Sequence, residues 1–141
     1  MKVSSLTPIL NVSDIEASFK WFESLGWQIG FQWGEPIGFG SVCQTGNKGN
    51  NKGSCEIFLC SNGQGGRGKG NNTSTFGDSV DQSSDKGVWM SLWVDDVDAA
   101  FAECNTAGVE VTFPPTDMPW KVREMHIRHP DGHVFRVGQG L

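Results

Sequence analysis

The sequence lacks the features of a membrane, secreted or disulfide-bonded protein. No apolar stretch approaches the roughly 18 residues that a membrane-spanning helix requires. The N-terminal segment has no charged head followed by an apolar run, so it does not resemble a secretory signal. The four cysteines include no CxxC pair and no spacing typical of metal ligands. We therefore predict a cytoplasmic protein with reduced thiols.

Positive charge is also scarce. The chain has 11 Lys and Arg residues against 16 Asp and Glu residues, which gives a formal net charge of −5. This balance disfavours nucleic acid and anionic membrane surfaces as partners, because both repel an acidic protein, and it tolerates a cationic ligand. With 141 residues, the chain fits one domain that can bury about two thirds of its unfolded surface without a metal or a disulfide.

Among the aromatic residues, tyrosine is absent and tryptophan is abundant. The chain has no Tyr, six Trp and nine Phe residues. Aromatic side chains in this number either fill a core or line a stacking surface. The position of each Trp and Phe in the fold therefore decides whether the protein has such a surface.

The sequence contains an internal repeat at an offset of 82 residues. Nine positions of the same character match without a gap, which chance similarity does not explain. In the first copy these positions are Leu10, Val12, Asp14, Ile15, Ala17, Phe19, Gly26, Ile29 and Phe31. Their counterparts in the second copy are Leu92, Val94, Asp96, Val97, Ala99, Phe101, Gly108, Val111 and Phe113. The repeat predicts one structural unit that occurs twice.

Each copy is typical of a βαβββ unit. A strand in which apolar and polar residues alternate precedes an aspartate, Asp14 or Asp96, which can cap the helix that follows. A glycine, Gly26 or Gly108, lies where that helix would stop in a left-handed conformation. The predicted strands are 7–11, 27–33, 37–44 and 54–60 in the first copy and 89–94, 109–113, 121–128 and 133–138 in the second. The predicted fold class is α+β, with two βαβββ modules.

The two modules are predicted to form one structural domain. The first module spans residues 1–60 and the second spans 88–141. A stretch rich in Gly, Asn and Ser, 61–87, connects them, and a second polar insertion, 45–53, is typical of a hairpin loop.

Two segments of the sequence resemble a known family. The run from Pro119 to His133, with its Pro-Trp, Arg-Glu and Pro-Asp-Gly, is similar to a segment of bleomycin-resistance proteins. Residues 88–94 resemble the Trp-rich fifth strand of those proteins. The paired modules look like the vicinal-oxygen-chelate superfamily of glyoxalases, extradiol dioxygenases and bleomycin-resistance proteins. The resemblance implies that each sheet curls into a cup that holds a ligand, and that two chains form a dimer with two clefts.

The same resemblance places metal ligands, in the enzymes of the superfamily, at four positions. In this sequence those positions are occupied by Thr7, Phe58, Trp89 and Arg136. Phe, Trp and Arg cannot coordinate a divalent ion, and a lone Thr hydroxyl is a poor ligand. We therefore predict that the catalytic metal site is absent and that the protein needs no cofactor.

Strand alternation predicts which side chains face the cup, because neighbouring residues in a strand point to opposite faces. The apolar partners are expected to face the helices. The cup side would then carry Glu56, Phe58 and Cys60 from the first module and Trp89, Ser91, Trp93, Glu124, His126, Arg128, Val134 and Arg136 from the second. Trp120 precedes the seventh strand, near the rim of the cup.

The candidate ligand-binding residues come from this predicted surface. Aromatic faces bind flat heteroaromatic groups and organic cations by stacking and cation–π attraction. The stacking residues would be Trp33, Phe58, Trp89, Trp93 and Trp120, and the polar anchors would be Glu56, Glu124 and Arg136. The alternative is that these Trp residues only fill the half-barrel or a dimer seam. Trp21 and Trp27 are expected to be structural.

The three histidines, His126, His129 and His133, lie close together in the sequence. Because His129 and His133 flank the turn at 130–132, we expect both to be solvated turn residues rather than metal ligands. Spacing alone predicts no catalytic arrangement for them.

The resulting prediction is a homodimeric, non-catalytic binding protein. Its ligand would be a planar, cationic small molecule such as a bleomycin-like antibiotic, and resistance would follow from sequestration. An alternative is a metal-dependent glyoxalase, dioxygenase or transferase that uses shifted ligands, among them Glu56, His126 and Glu124. A third hypothesis is a structural or regulatory protein whose cup has collapsed around buried Trp residues.

Overall fold

The computed structural model describes residues 1–44, 55–61 and 87–141, and it contains two βαβββ modules. The first module consists of β1 (Ile9–Asn11), α1 (Ile15–Ser24), β2 (Gln28–Trp33), β3 (Phe39–Gln44) and β4 (Cys55–Cys60). The second consists of β5 (Trp89–Trp93), α2 (Val97–Ala107), β6 (Glu110–Met118), β7 (Val122–Arg128) and β8 (Val134–Gly140). The predicted α+β fold class is confirmed. The predicted hairpin loop, 45–53, and all but the two end residues of the predicted connection lie outside the described residues.

The two sheets have the same topology. Each has four strands, in the order β1-β4-β3-β2 and β5-β8-β7-β6. The first strand of each module pairs in parallel with the last, and the other pairs are antiparallel. The repeat offset also relates the two registers, because Ile9 faces Phe58 while its counterpart Ser91 faces Arg136. Phe58 and Arg136 are therefore equivalent positions, as the sequence predicts.

The helix ends follow from the capping residues. The Asp14 carboxylate accepts a hydrogen bond from the Ala17 N–H at 2.9 Å. Asp96 caps α2 in the same way, and α2 ends at Gly108, whose φ of 70° is left-handed. The first helix ends slightly differently, since Leu25 is its C-cap and the left-handed residue, Gly26, comes just after it.

Most strand boundaries agree with the prediction to within two residues, and two differences have a physical explanation or bear on the site. β1 begins at Ile9, so Thr7 precedes the strand instead of belonging to it. β6 continues to Met118, through two prolines that would be expected to end it. β6 lies at the edge of its sheet, and its register shifts between Phe113 and Thr116, so the prolines occupy an irregularity where no ladder N–H is needed.

The hydrophobic core is shared between the modules. Phe22 and Trp21 of α1 both contact Phe135 of β8, with ring centroids 5.8 and 5.6 Å apart. Trp27 is buried and packs edge-on against Phe22 at 5.5 Å. Trp21 and Trp27 therefore have the structural role expected of them.

His129 and His133 lie at the junction of the two modules and are almost fully buried, at 1% and 0% exposed. The Val88 N–H donates to Nδ1 of His133, whose Nε2 lies 2.8 Å from the Asn11 carbonyl oxygen. Nε2 of His129 lies 3.1 Å from the Ser18 hydroxyl. The prediction that both histidines are solvated turn residues is therefore wrong.

Asp131 and Gly132 of the turn at 130–132 are buried because the turn docks against the first module. The N–H and the hydroxyl of Ser13 both donate to the carboxylate of Asp131, at 3.0 and 2.6 Å. The Asp131 N–H donates to Nδ1 of His129 at 3.1 Å. Burial lowers the pKa of His129 to about 4 and also lowers the pKa of His133. Both rings are thus held neutral, with Nδ1 as the acceptor.

Candidate functional site

The outer face of the second sheet, defined as the face turned away from the helices, carries most of the predicted site. Cross-strand pairs place Ser91, Arg136 and His126 in one row across β5, β8 and β7. A neighbouring row holds Trp93, Gly138 and Glu124. The intervening residues of these strands, such as Met125 and Val137, are buried in the core. The predicted assignment of faces is therefore correct for this sheet.

Glu124 is the centre of this face. The residue is 3% exposed, and its Oε2 accepts hydrogen bonds from Arg136 Nε at 2.7 Å and from Trp120 Nε1 at 3.2 Å. Its Oε1 lies 3.4 Å from Nε2 of His126. Burial raises the pKa of Glu124, but the hydrogen bonds from Arg136, Trp120 and His126 outweigh it and lower the pKa below its ordinary value. Glu124 is therefore a carboxylate whose acceptor sites are already engaged.

Exposed indoles surround the ion pair of Glu124 and Arg136. Trp89, Trp93 and Trp120 are 55%, 67% and 54% exposed. The Arg136 guanidinium lies over the Trp120 ring, with its Cζ 5.7 Å from the ring centroid. This exposure contradicts the hypothesis of a collapsed cup for the single chain.

Two of these indole rings contact a neighbouring residue of the same sheet. A Cβ atom added to Gly138 would lie 3.4 Å from the Trp93 ring, so the indole lies directly against the β8 backbone. The Trp89 ring meets His126 edge-on at 5.3 Å. Sequence reasoning missed Gly138, although its place opposite Trp93 follows from the register once β8 is known.

The outer face of the first sheet, defined in the same way, is different. Phe31, Phe39 and Phe58 form a cluster whose ring centroids are 5.4 to 5.8 Å apart. Trp33 faces Phe39 across the strand pair and is 71% exposed, which settles the face of a residue that the sequence left open. Sequence reasoning missed Phe31 and Phe39, although Phe31 alternates with Trp33 and is one of the repeat positions.

Within one chain, the predicted site residues fall into two groups. Trp89, Trp93, Trp120, Glu124 and Arg136 are together on the second sheet. The other three, Trp33, Glu56 and Phe58, lie on the first sheet. No ring contact or hydrogen bond among the described residues joins the two outer faces.

The positions of the superfamily's metal ligands do not suit a metal. Phe58 and Arg136 lie at equivalent places in the two sheets, but neither a phenyl ring nor a guanidinium offers a lone pair to a cation. The neighbouring carboxylate, Glu124, is occupied by its three donors. Within 1–44, 55–61 and 87–141, no group of three or more His, Cys, Asp or Glu side chains could hold a metal ion.

The described helices are too short and too polar to cross a bilayer. The architecture instead defines a class of proteins built from paired βαβββ modules. A family model described as the Glyoxalase/Bleomycin resistance protein/Dioxygenase superfamily matches residues 3–137. The chain belongs to this superfamily.

Solved structures share the fold over the full chain length. TioX from Micromonospora sp. ML1 superposes with a TM-score of 0.68 at 18% identity, covering 99% of this chain and 100% of that one. A bleomycin-binding protein complexed with bleomycin gives 0.64 at 18% identity, with 99% and 100% covered. TnmS3, an antibiotic-binding protein from Streptomyces sp. CB03234, gives 0.65 at 23% identity, with 100% and 99% covered. Among proteins of curated function, none matched the chain.

Proposed function

We propose that this chain is a non-catalytic binding protein that sequesters a planar aromatic antibiotic, such as a bleomycin-like compound. The observation that carries the proposal is the group of exposed indoles, Trp89, Trp93 and Trp120, around a buried ion pair. Indoles at this density on a surface mark a site that another molecule covers. Each stacking or cation–π contact contributes roughly 0.5 to 2 kcal/mol, so a flat ligand gains affinity from several rings.

The proposal includes a homodimer. The two outer faces of one chain have separate contacts, and each is open to solvent on its aromatic side. A dimer that sets the first sheet of one chain against the second sheet of its partner would close two clefts. Trp33 and Phe58 would then face the tryptophans of the partner, and Glu56 would be the anchor for a cationic group.

Charge and the similar proteins support the same function. The net charge of −5 attracts cationic compounds from solution. A bleomycin-binding protein and an antibiotic-binding protein share the fold along the whole chain. We propose a cytoplasmic location, where the four free thiols would stay reduced. Resistance would then follow from mass action, because bound drug cannot reach its target.

Calorimetric titration with bleomycin tests this proposal. The protein is titrated with metal-free and with copper-loaded bleomycin, and we expect saturable binding near one ligand per chain. The same titration with a Trp89→Ala/Trp93→Ala variant should give a much weaker response. A Trp21→Phe variant, changed at a partly buried ring that packs against the core, should bind like the wild type. Absence of heat with both forms of the drug would exclude bleomycin as the ligand.

The alternative of an enzyme with shifted metal ligands is not favoured by the geometry. Glu124 is engaged by its donors, and Glu56 lies on the other sheet. Metal analysis of the purified protein separates the two functions, since the binding protein needs no stoichiometric divalent metal. A stoichiometric metal that is lost in a His126→Ala variant would support the enzyme instead.

A further inference from the structure

We infer that the outer face of the second sheet recognises an acceptor oxygen of the aromatic ligand, a carboxylate or phenolate, through Arg136 and Ser91. This inference rests on the proposed function and specifies the ligand chemistry at that face. Glu124 acts as a positioning residue, because it holds both Arg136 and Trp120.

The ion pair at this face presents its positive end to solvent. The Glu124 side chain is only 4% exposed, whereas that of its partner Arg136 is 36% exposed. The carboxylate therefore lies beneath the guanidinium, and a ligand approaching from solvent meets the cation first. Because the pair is neutral as a whole, its electrostatic interaction with a ligand depends on the direction of its dipole.

Arg136 also has hydrogen-bonding capacity to spare. Its Nε donates a hydrogen bond to Oε2 of Glu124 at 2.7 Å, and its Nη2 forms an ion pair with the same oxygen at 2.5 Å. Among the residues that the structure describes, no group accepts a hydrogen bond from Nη1. The guanidinium has five N–H donors in a fixed plane, so its free edge suits a planar acceptor such as a carboxylate.

Ser91 extends this donor group along β5. It lies directly across from Arg136 in the strand pair, it is exposed, and its hydroxyl has no hydrogen-bond partner in the described part of the chain. Its neighbours on the same face are Trp89 and Trp93. The donors therefore lie between the indoles, where an oxygen substituent of a stacked ring would meet them.

The two outer faces differ in the charge that they offer. On the first sheet, Glu56 is an exposed carboxylate for which no partner is found among the described residues. A cationic group of the ligand is therefore expected on the first sheet, and an acceptor oxygen on the second. The acidic net charge alone suggests a cationic ligand, but at the second sheet the exposed member of the ion pair is the cation, Arg136.

Three naphthalene probes that share one ring test the inference. The full-length protein is titrated with 2-naphthoate, 2-naphthylmethanol and 2-naphthylmethylammonium, and binding is followed by the indole N–H resonances in NMR. We expect the carboxylate to bind at least about tenfold more tightly than the ammonium compound, with the alcohol between them, because a charge-assisted hydrogen bond forms only with the first.

Variants assign this preference to its residues. Ser91→Ala should weaken the carboxylate a few-fold and leave the alcohol less affected. The double variant Glu124→Gln/Arg136→Gln removes both charges without burying an unpaired one, and it should abolish the preference for the carboxylate. Lys121→Gln, which removes an exposed charge beside Trp120, is the matched control and should keep it.

Each contrary result has a distinct meaning. An ammonium probe that binds as well as the carboxylate would overturn the inference while the stacking surface stands. A carboxylate preference that survives in the double variant would overturn the role of Arg136. If none of the three probes moves an indole resonance while bleomycin binds in calorimetry, the inference fails and the proposed function stands. If neither the probes nor bleomycin bind, both fail.

Discussion

The two sheets have the same topology but differ in what they display on their outer faces. On the first, the rings of Phe31, Phe39 and Phe58 contact one another. On the second, the position equivalent to Phe58 is Arg136, and the rings around it point to solvent. The first face is an apolar platform, whereas the second is an aromatic surface built around an ion pair.

The inner faces, in contrast, have stayed alike. Leu10 pairs with Leu59 in the first sheet, and their counterparts Leu92 and Val137 pair in the second. These residues belong to the core cluster or pack against it, so a polar substitution there would cost the full penalty of burial. The fold therefore constrains the inner positions of the repeat, whereas the outer positions can differ between the two modules.

The largest expected effect concerns the shared interior rather than either outer face. The pKa of His129 is about 4, below its ordinary value of 6.5, so between these values the folded state binds fewer protons than the unfolded state. The free energy of unfolding therefore has its full value above pH 6.5. It falls by roughly 3 kcal/mol as the pH drops towards 4. Urea unfolding at a series of pH values measures the loss.

A variant identifies the source of this pH dependence. His129→Gln should make the curve shallower in that window, because the amide has no proton to gain, and the slope that is left belongs to groups such as His133, whose pKa is also lowered by burial. A wild-type stability that does not change over the same range would mean that the ring is not buried in solution.

The second largest effect is expected when the ion pair that distinguishes the second outer face from the first is broken. Glu124→Ala removes the acceptor shared by Arg136, Trp120 and His126, and we expect the free energy of unfolding to fall by about 2 kcal/mol. The loss is moderate because Arg136 is partly exposed and regains water. Glu124→Gln, which keeps an acceptor oxygen, is the control and should cost less. Equal stability of Glu124→Ala and wild type would show that the ion pair contributes nothing.

The third prediction compares the two faces in binding. Trp120→Ala should weaken the ligand at least tenfold, about 1.4 kcal/mol, because both the ring and its contact with Arg136 are lost. Trp33→Ala, at the end of β2 on the other face, should weaken it only about threefold. Calorimetry with the ligand found for the wild type gives both values. An unchanged affinity for Trp120→Ala would remove this residue from the site.

The smallest effect is expected at Gly138, whose backbone lies against the Trp93 ring. A Cβ at position 138 would lie 3.3 Å from a Val122 methyl carbon and 3.4 Å from the indole, so Gly138→Ala should shift the ring by a few tenths of an ångström. We expect a cost of about 0.5 kcal/mol in stability and a small loss of affinity. Gly140→Ala, where no atom lies within 4 Å of the added carbon, is the matched control. Identical behaviour of the two variants would contradict the contact.

Much of this architecture follows from local sequence signals. The caps at Asp14 and Asp96 and the alternation of Trp89, Ser91 and Trp93 are local patterns, and the structure agrees with them. The roles of Trp33, Glu56 and the other site residues stay predictions, since ligand contact depends on a molecule that the sequence does not contain.

The wrong predictions concern places where segments that are distant in the sequence contact each other. His129 is buried against Ser18, which is 111 residues away, and Asp131 of the turn is held by Ser13. No periodicity in either segment reports that contact. The length of β6 could not be predicted from local sequence either. The prolines in it are tolerated because β6 is at the edge of its sheet, and which strand is at the edge depends on the whole sheet.

The packing of α1 across the module boundary has a consequence for how the chain folds. Trp21 and Phe22 complete the core by contacting Phe135, so either half alone would leave large rings in water. The two halves of the sequence look alike, yet we expect neither to fold on its own. A chain cut between Ser61 and Gly87 is therefore expected to work as a split protein, whose fragments become structured only when they reassemble with each other.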